Sequence, residues 1–219
     1  MPDSINIRHL GQVNYETTVS LMQAFTAARD ANTPDEIWLL EHPPVFTLGT
    51  NAAEDHVLDA GDVPVVRTDR GGQVTWHGPG QLVAYLLVDL KRCGLSVKQL
   101  VHGIEAGIIE TLGSYGINAV CKSGAPGVYV DGRKIASLGI RVKRGCSYHG
   151  LAINVHNDEQ AFSGINPCGY QGLETSRVID FCNDATLDKV GRDLLPQLIK
   201  HLQLSGSELK HLQQGWQPA

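Results

Sequence analysis

Apolar positions along this chain recur with two periods. Between Tyr15 and Ala28 they fall on neighbouring helical stripes, Tyr15, Val19 and Met22 on one and Leu21, Phe25 and Ala28 beside it, and Asn32-Thr33-Pro34 stops the helix. Such a helix is expected to cover one face of a sheet. Residues 37–40 read as a short buried strand broken by His42-Pro43-Pro44, residues 45–48 resume extended structure, and a strand over 63–67 leads into Arg70-Gly71-Gly72. Residues 81–90 are apolar almost without alternation, which predicts a strand covered on both faces. Ser96 caps the clearest helix, whose stripe runs Val97, Leu100, Val101, Ile104, Ile108 and Leu112 before the glycines at 113 and 116. Three strands follow, over 127–130, 134–142 and 147–155, and their connections are too short for anything but antiparallel neighbours. Residues 157–182 are irregular, and 187–204 form a last amphipathic helix through Val190, Leu194, Leu198 and Leu202.

Hairpins interrupted by segregated helices predict an α+β fold rather than a doubly wound parallel sheet. With no internal repeat or linker, residues 1–219 read as one domain. At 42% hydrophobic, with 24 glycines and 10 prolines, the composition excludes long disorder and collagen-like repeats. The longest apolar run, residues 82–88, is far short of the roughly 20 that a membrane helix needs. The first residues offer neither a basic start nor an apolar stretch, so a soluble, cytoplasmic protein is expected, with no membrane partner. No G-x-G-x-x-G follows the first strand and no P-loop motif occurs, which leaves nucleotide sites of those types without support.

A net charge of -5 argues against a nucleic-acid partner, yet the charge is uneven. From Lys122 to Gly145 six basic residues stand against Asp131 alone, net +5, which leaves -10 for the remainder. Such a patch on an acidic chain suits an acidic partner.

Candidate chemistry gathers in a few stretches. Arg70-Gly71-Gly72-Gln73-Val74-Thr75-Trp76-His77-Gly78-Pro79-Gly80-Gln81 describes a backbone that turns sharply and lies close against something, either a structural loop with a surface histidine or the wall of a pocket. Ser137-Leu138-Gly139-Ile140 and His149-Gly150-Leu151-Ala152 put glycines inside adjacent strands, where a bulge or close contact, or a slot for an apolar group, would need the room. The five cysteines, 93, 121, 146, 168 and 182, are odd in number and contain no C-x-x-C pair, so neither a disulfide framework nor a zinc knuckle is expected. A reactive thiol wants exposure and positive neighbours. Cys146 has Lys143 and Arg144 beside it and Cys93 follows Lys91-Arg92, while Cys168 sits in the rigid turn Asn166-Pro167-Cys168-Gly169; Cys121 and Cys182 have apolar neighbours and read as core. Local sequence divides the choice between Cys146 and Cys168. Lys134 opens a strand whose next residues are Ile135 and Ala136, which fits a desolvated catalytic lysine or an ordinary hairpin one.

From about Glu36 to Cys182 the chain resembles the lipoate-protein octanoyltransferases, carried by residues 70–81, then Gly127-Val128-Tyr129-Val130 with Lys134-Ile135-Ala136-Ser137-Leu138-Gly139, then His149-Gly150-Leu151-Ala152-Ile153-Asn154, then Asn166-Pro167-Cys168-Gly169. Four such pieces in register are specific where each alone is weak. The resemblance implies a biotin/lipoate protein ligase-like fold, of the class II aminoacyl-tRNA synthetase type, with a mixed, largely antiparallel sheet flanked by helices. It implies octanoyl-acyl carrier protein as donor, and as acceptors the lipoyl domains of 2-oxoacid dehydrogenase complexes and the glycine cleavage H protein. Cys168 becomes the acyl-accepting nucleophile in place of Cys146, and Lys134 the group that lowers its pKa and shuttles protons. Arg70, Gly71, Gly72, Gln73, Val74, Thr75, Trp76 and His77, with Ser137, Leu138, Gly139, Gly150, Leu151 and Ala152, would line the acyl pocket. Trp76 stands where the family usually carries Tyr. No cofactor or metal is implied, because thioester exchange is nearly balanced in energy and amide formation is downhill. Backbone N–H groups of Gly78 and of the Cys168 loop are candidate oxyanion donors. Two other readings are an ATP- and Mg²⁺-dependent lipoate or octanoate ligase of the same fold, for which Cys168 would have no use, and a non-catalytic acyl- or carrier-binding scaffold.

Overall fold

The computed structural model describes residues 4–158, 160–204, 208–213 and 215–217. Along the chain its elements are β1 (Ser4–Gln12), α1 (Tyr15–Ala28), β2 (Asp35–Glu41), β3 (Val45–Leu48), β4 (Val65–Arg67), β5 (Val74–His77), β6 (Gln81–Leu87), α2 (Val97–Ser114), β7 (Val120–Lys122), β8 (Ala125–Val130), β9 (Arg133–Lys143), β10 (Cys146–Asn154), α3 (Leu187–His201) and β11 (Glu208–Leu212). Eight strands form the main sheet in the order β11-β1-β2-β6-β10-β9-β8-β7, and β4-β3-β5 form a small second sheet. Within the main sheet β1 runs parallel to both of its neighbours, whereas every other neighbouring pair is antiparallel; in the small sheet β3 is parallel to β4 and antiparallel to β5. The architecture is therefore α+β with a mixed, largely antiparallel sheet.

Helix starts follow from side-chain acceptors for otherwise orphaned N–H groups. Asn14 Oδ1 accepts from Thr17 N–H at 3.0 Å, and Ser96 with Gln99 forms a reciprocal capping box at the start of α2. The continuous apolar run of β6 is explained by helices on both sides. Val83, Tyr85 and Leu87 meet Met22 and Phe25 of α1, while Leu82, Ala84 and Leu86 join Leu100, Ile104 and Ile108 of α2 and Leu194 and Leu198 of α3. Period-2 alternation sends successive side chains of one strand into the two cores.

Four strands escape the hydrophobic pattern. β1 is short of apolar residues because Asn6 and Arg8 turn to the buried Glu36 carboxylate, which also accepts from Trp38 Nε1 at 2.6 Å. β5 lies inside the glycine-rich stretch and is held by pairing with β3. β7 and β11 are exposed edge strands with little apolar content. The strand over 81–90 ends at Leu87, the one over 63–67 covers Val65–Arg67, and the last helix ends at His201. The small sheet lies over β6, β10 and β9 on the α1 side of the main sheet, and the cavity described next forms between these layers.

Candidate active site

Cys168 lies in a single 3-10 turn, Pro167–Gly169, with φ at 57°. A left-handed backbone at a residue with a Cβ costs energy that the surroundings must supply. They do so by closing on the turn from both sides: Asn166 N–H donates to His56 O at 2.8 Å, and Gly169 packs under Gln73 and His56 so closely that a Cβ there would lie 3.2 Å from Gln73 Cδ. The turn's own hydrogen bonds use the N–H groups of Gly169 and Tyr170, so the Cys168 N–H takes no part in them.

Lys134, near the start of β9, reaches this thiol. Its Nζ stands 2.9 Å from Cys168 Sγ and donates to Pro126 O, also at 2.9 Å, and the residue is only 3% exposed. Its backbone is fixed as well. Where the pairing of β10 runs out, Glu174–Ser176 takes over beside β9: Lys134 N–H donates to Glu174 O at 2.9 Å and Ser176 N–H donates to Lys134 O at 3.0 Å. The irregular stretch that carries the cysteine is thereby tied to the strand that carries the lysine.

A cavity of about 500 Å³ opens at this pair and runs between β5 and the surface of β6, β10 and β9. Away from Cys168 its wall includes Tyr15, His77, Tyr85 and His149. Burial pushes His77 and His149 down and Tyr85 up, which leaves these rings uncharged near neutral pH. Behind them, burial lowers His42 to about 4. His149 Nε2 bonds Asp69 Oδ1 at 2.9 Å, and with Tyr148 and Gln23 also donating, the Asp69 carboxyl is held well below the usual carboxylate range. Ionised Asp69 only accepts, so Nε2 carries the His149 proton and Nδ1 is an acceptor, buried and without a partner among the described residues.

Of the residues singled out in the sequence, Arg70, Gly72, Gln73, Val74, Thr75, His77, Lys134, Ser137, Leu138, Gly139, Gly150, Leu151, Ala152 and Cys168 border this cavity. Gly71 and Trp76 do not. Gly71 sits against β9, its N–H on Ile140 O at 3.0 Å, and Trp76 turns to the opposite face of β5, where it packs edge-on to Phe162. Gly78 lies against the Trp76 ring, away from the cavity. The room in the strands is used by protein. A Cβ at Gly139 would stand 3.0 Å from Arg70 Cδ, and one at Gly150 only 2.0 Å from Ala84 O. Arg70 itself is a staple: its buried guanidinium donates to Thr47 O, Gly71 O and Gln73 O and so holds the glycine-rich loop to β3.

Of the two readings left open for the glycine-rich stretch, the structure favours the pocket wall: His77 is buried and borders the cavity. Several expectations from sequence neighbours fail. Cys146 is buried and its thiol is pushed up by burial, while the Arg144 side chain donates to Ala27 O instead. Burial and the adjacent Asp35 carboxylate raise Cys93 to about 12. Cys121 is exposed and Cys182 half-buried, so neither is core. The basic segment is not one patch: Lys134 is buried at the site, Lys122 lies over the Tyr129 ring, and Arg141, Lys143 and Arg144 sit toward the far end of β9, none of them on the cavity. Tyr15, Tyr85, Gly124–Pro126 and Tyr170 line the cavity unannounced by any local motif. No helix among the described residues is long and apolar enough to cross a membrane.

The family model for the lipoyl protein ligase A/B catalytic domain matches residues 14–199. An octanoyltransferase of Halorhodospira halophila is 51% identical over 209 residues, 95% of this chain and 96% of that one. An octanoyltransferase of Pseudomonas fluorescens is 53% identical over 202 residues, 92% of this chain and 94% of its own. Among solved structures, a lipoate-protein ligase A bound with ATP superposes with a TM-score of 0.75 at 14% identity, covering 98% of this chain and 89% of that chain, and shares the fold. With a sheet, a cavity and a matched span that all coincide, the chain belongs to the lipoyl protein ligase A/B catalytic domain family, in its octanoyltransferase branch.

Proposed function

We propose that this chain, acting as one cytoplasmic catalytic domain, moves an octanoyl group from acyl carrier protein to the target lysine of lipoyl domains, those of 2-oxoacid dehydrogenases and the glycine cleavage H protein, through an S-octanoyl Cys168. The observation that carries the reading is the 2.9 Å contact of Lys134 Nζ with Cys168 Sγ on the cavity that this pair borders. An ammonium beside sulfur stabilises the thiolate, which is the nucleophilic form.

In the first half-reaction the Cys168 thiolate attacks the carrier thioester carbonyl. A new S–C bond forms, the carrier's S–C bond breaks, and the departing thiolate takes a proton from Lys134. Lys134 is then neutral, so in the second half-reaction it accepts the proton that the attacking lysine amine must lose, and the amide forms as the Cys168 thiolate is restored. The Cys168 N–H, outside the turn's own hydrogen bonds, is a candidate donor for the oxyanion. An adenylating ligase would have no role for this cysteine–lysine contact.

Incubation with octanoyl carrier protein, followed by peptide mapping, tests the reading. One hydroxylamine-labile octanoyl group is expected on Cys168, and it should discharge onto added lipoyl domain. Label on Cys146 or Cys93, or transfer that survives in Cys168→Ala, would overturn it.

A further inference from the structure

Glu105 is a carboxylate on the inward stripe of α2, between Ile104 and Ile108, and is 6% exposed. Burying an ionised carboxylate is costly unless its oxygens are engaged. Glu105 Oε1 accepts from Gly127 N–H at 3.0 Å, while Oε2 lies 3.5 Å from Nδ1 of the exposed His102. The Gly127 N–H belongs to the same peptide group as Pro126 C=O, whose oxygen accepts from Lys134 Nζ at 2.9 Å. One peptide plane therefore has a carboxylate at its N–H end and the lysine ammonium at its C=O end.

The peptide lies within β8, between Ala125 and Val128, which pair with β7, and its own two polar ends are taken by Glu105 and Lys134. Gly127 has φ at 132°, a conformation open to glycine, and without a Cβ it presents no steric barrier to rotation of the peptide. A Cβ there would lie 2.5 Å from Lys134 Cε and 3.0 Å from Nζ, so the bare backbone is also what lets the lysine side chain lie flat on its way to the sulfur. Were the peptide to turn over, an N–H would face the ammonium and Lys134 would lose its carbonyl acceptor. The Glu105 oxygen that accepts from Gly127 N–H opposes this turn, and that bond polarises the peptide so that its carbonyl is a better acceptor.

We propose that Glu105 is a positioning residue for the Lys134–Cys168 pair, acting through the Pro126–Gly127 peptide. The inference rests on the reading of Lys134 as the partner of a nucleophilic Cys168, but it can be tested without any acyl donor. Alkylation of Cys168 by iodoacetamide, followed by peptide mapping to separate it from the other cysteines, reports how well the lysine is held against the thiol. Glu105→Ala should slow this alkylation about tenfold, the scale set by one displaced hydrogen bond. Glu105→Gln should recover to within about threefold of the parent, because its amide oxygen can still accept from Gly127 N–H. In a Lys134→Ala background, Glu105→Ala should add less than about a twofold loss, since the contact it serves is already gone.

Unchanged alkylation in Glu105→Ala, no recovery in Glu105→Gln, or a full additional loss in the Lys134→Ala background would each overturn the proposal. The last outcome would make Glu105 a support of the fold. Should Glu105→Ala fail to fold, Glu105→Met refills the volume and takes its place with the same outcomes. Octanoyl transfer measured alongside should show the loss in kcat with KM for carrier-bound octanoate unchanged. If acyl-enzyme never forms on Cys168 while the alkylation pattern holds, the proposed function fails and the positioning role stands.

Discussion

Acidification should destabilise this protein above the pH at which carboxylates protonate, and His42 contributes a part of the effect whose size can be worked out. Its Nδ1 lies 2.7 Å from Val13 O and its Nε2 2.7 Å from Tyr85 Oη. A carbonyl can only accept, so Nδ1 carries the proton and Nε2 accepts from the tyrosine. Protonating the ring would bury a charge and turn Nε2 into a donor facing the Tyr85 hydroxyl, which could then accept but no longer donate. Burial accordingly lowers His42 from 6.5 to about 4. With the folded value below the unfolded one, the unfolded chain takes up the proton first as pH falls. Stability is intact above about 6.5, declines between 6.5 and 4, and loses nothing more from this residue below that range.

At 1.36 kcal/mol per pKa unit the full loss from His42 is about 3 kcal/mol, of which about 2 kcal/mol has gone by pH 5. Set against a total stability of about 5–15 kcal/mol for a folded domain, this is measurable by urea unfolding at a series of pH values. His77 and His149 are displaced in the same direction and add to the slope, whereas Asp69, displaced downward from 3.8, contributes its loss below this window. In His42→Gln the ring is gone and the side chain is neutral at every pH. That variant will start less stable, but its decline from pH 6.5 to 5 should be shallower than the parent's by about 2 kcal/mol. Parallel declines in parent and variant would refute the assignment of a buried neutral His42.

Three further outcomes are expected. Lys134→Ala should slow both half-reactions, and Lys134→Arg should restore acyl-enzyme formation better than discharge to the acceptor, because a guanidinium keeps the charge but does not accept the amine's proton; equal recovery of both in single-turnover assays would remove the base role. Gly150→Ala forces a Cβ to within 2.0 Å of Ala84 O across the β6–β10 pair, and should cost about 1–3 kcal/mol and several degrees of melting temperature, where an unchanged Tm would show that the pair can part at no cost. Lys143→Glu with Arg144→Glu should leave transfer from carrier-bound octanoate within about twofold at physiological salt. Nine residues of strand place Lys143 roughly 30 Å from Lys134, several Debye lengths of about 8 Å, so a strong loss specific to the carrier substrate would mean that the carrier spans the length of β9.

What could be read from the sequence was what short-range periodicity encodes. The stripe from Leu100 to Leu112 and the unbroken run from Leu82 to Leu87 identify elements buried on one or two sides, and the structure buries them so. β1 was hidden because its polar residues are inward partners of Glu36 rather than a solvent face, and β5 because a strand of four residues between glycines looks like the loop around it. Both depend on a partner strand distant in sequence, which no local pattern records.

The choice of thiol turns on the same point. Cys146 and Cys93 have basic neighbours along the chain, but at a strand or turn the next residues leave in other directions: Arg144 goes to the end of α1 at Ala27 O, and the carboxylate of Asp35, not Arg92 alone, sits beside Cys93. Cys168 has no cation nearby in sequence, and its lysine comes from 34 positions earlier by way of β9. Basic neighbours along the chain are therefore a poor guide to which thiol has a cation beside it in the fold, and for Cys168, the proposed nucleophile, the Pro-Cys-Gly turn marks a held position while the cation comes from elsewhere. The proline and glycine that hold the turn are local and legible; the charge is supplied by the fold. That division explains why the four motifs are informative only in register, since the resemblance carries the long-range pairing that spacing alone omits.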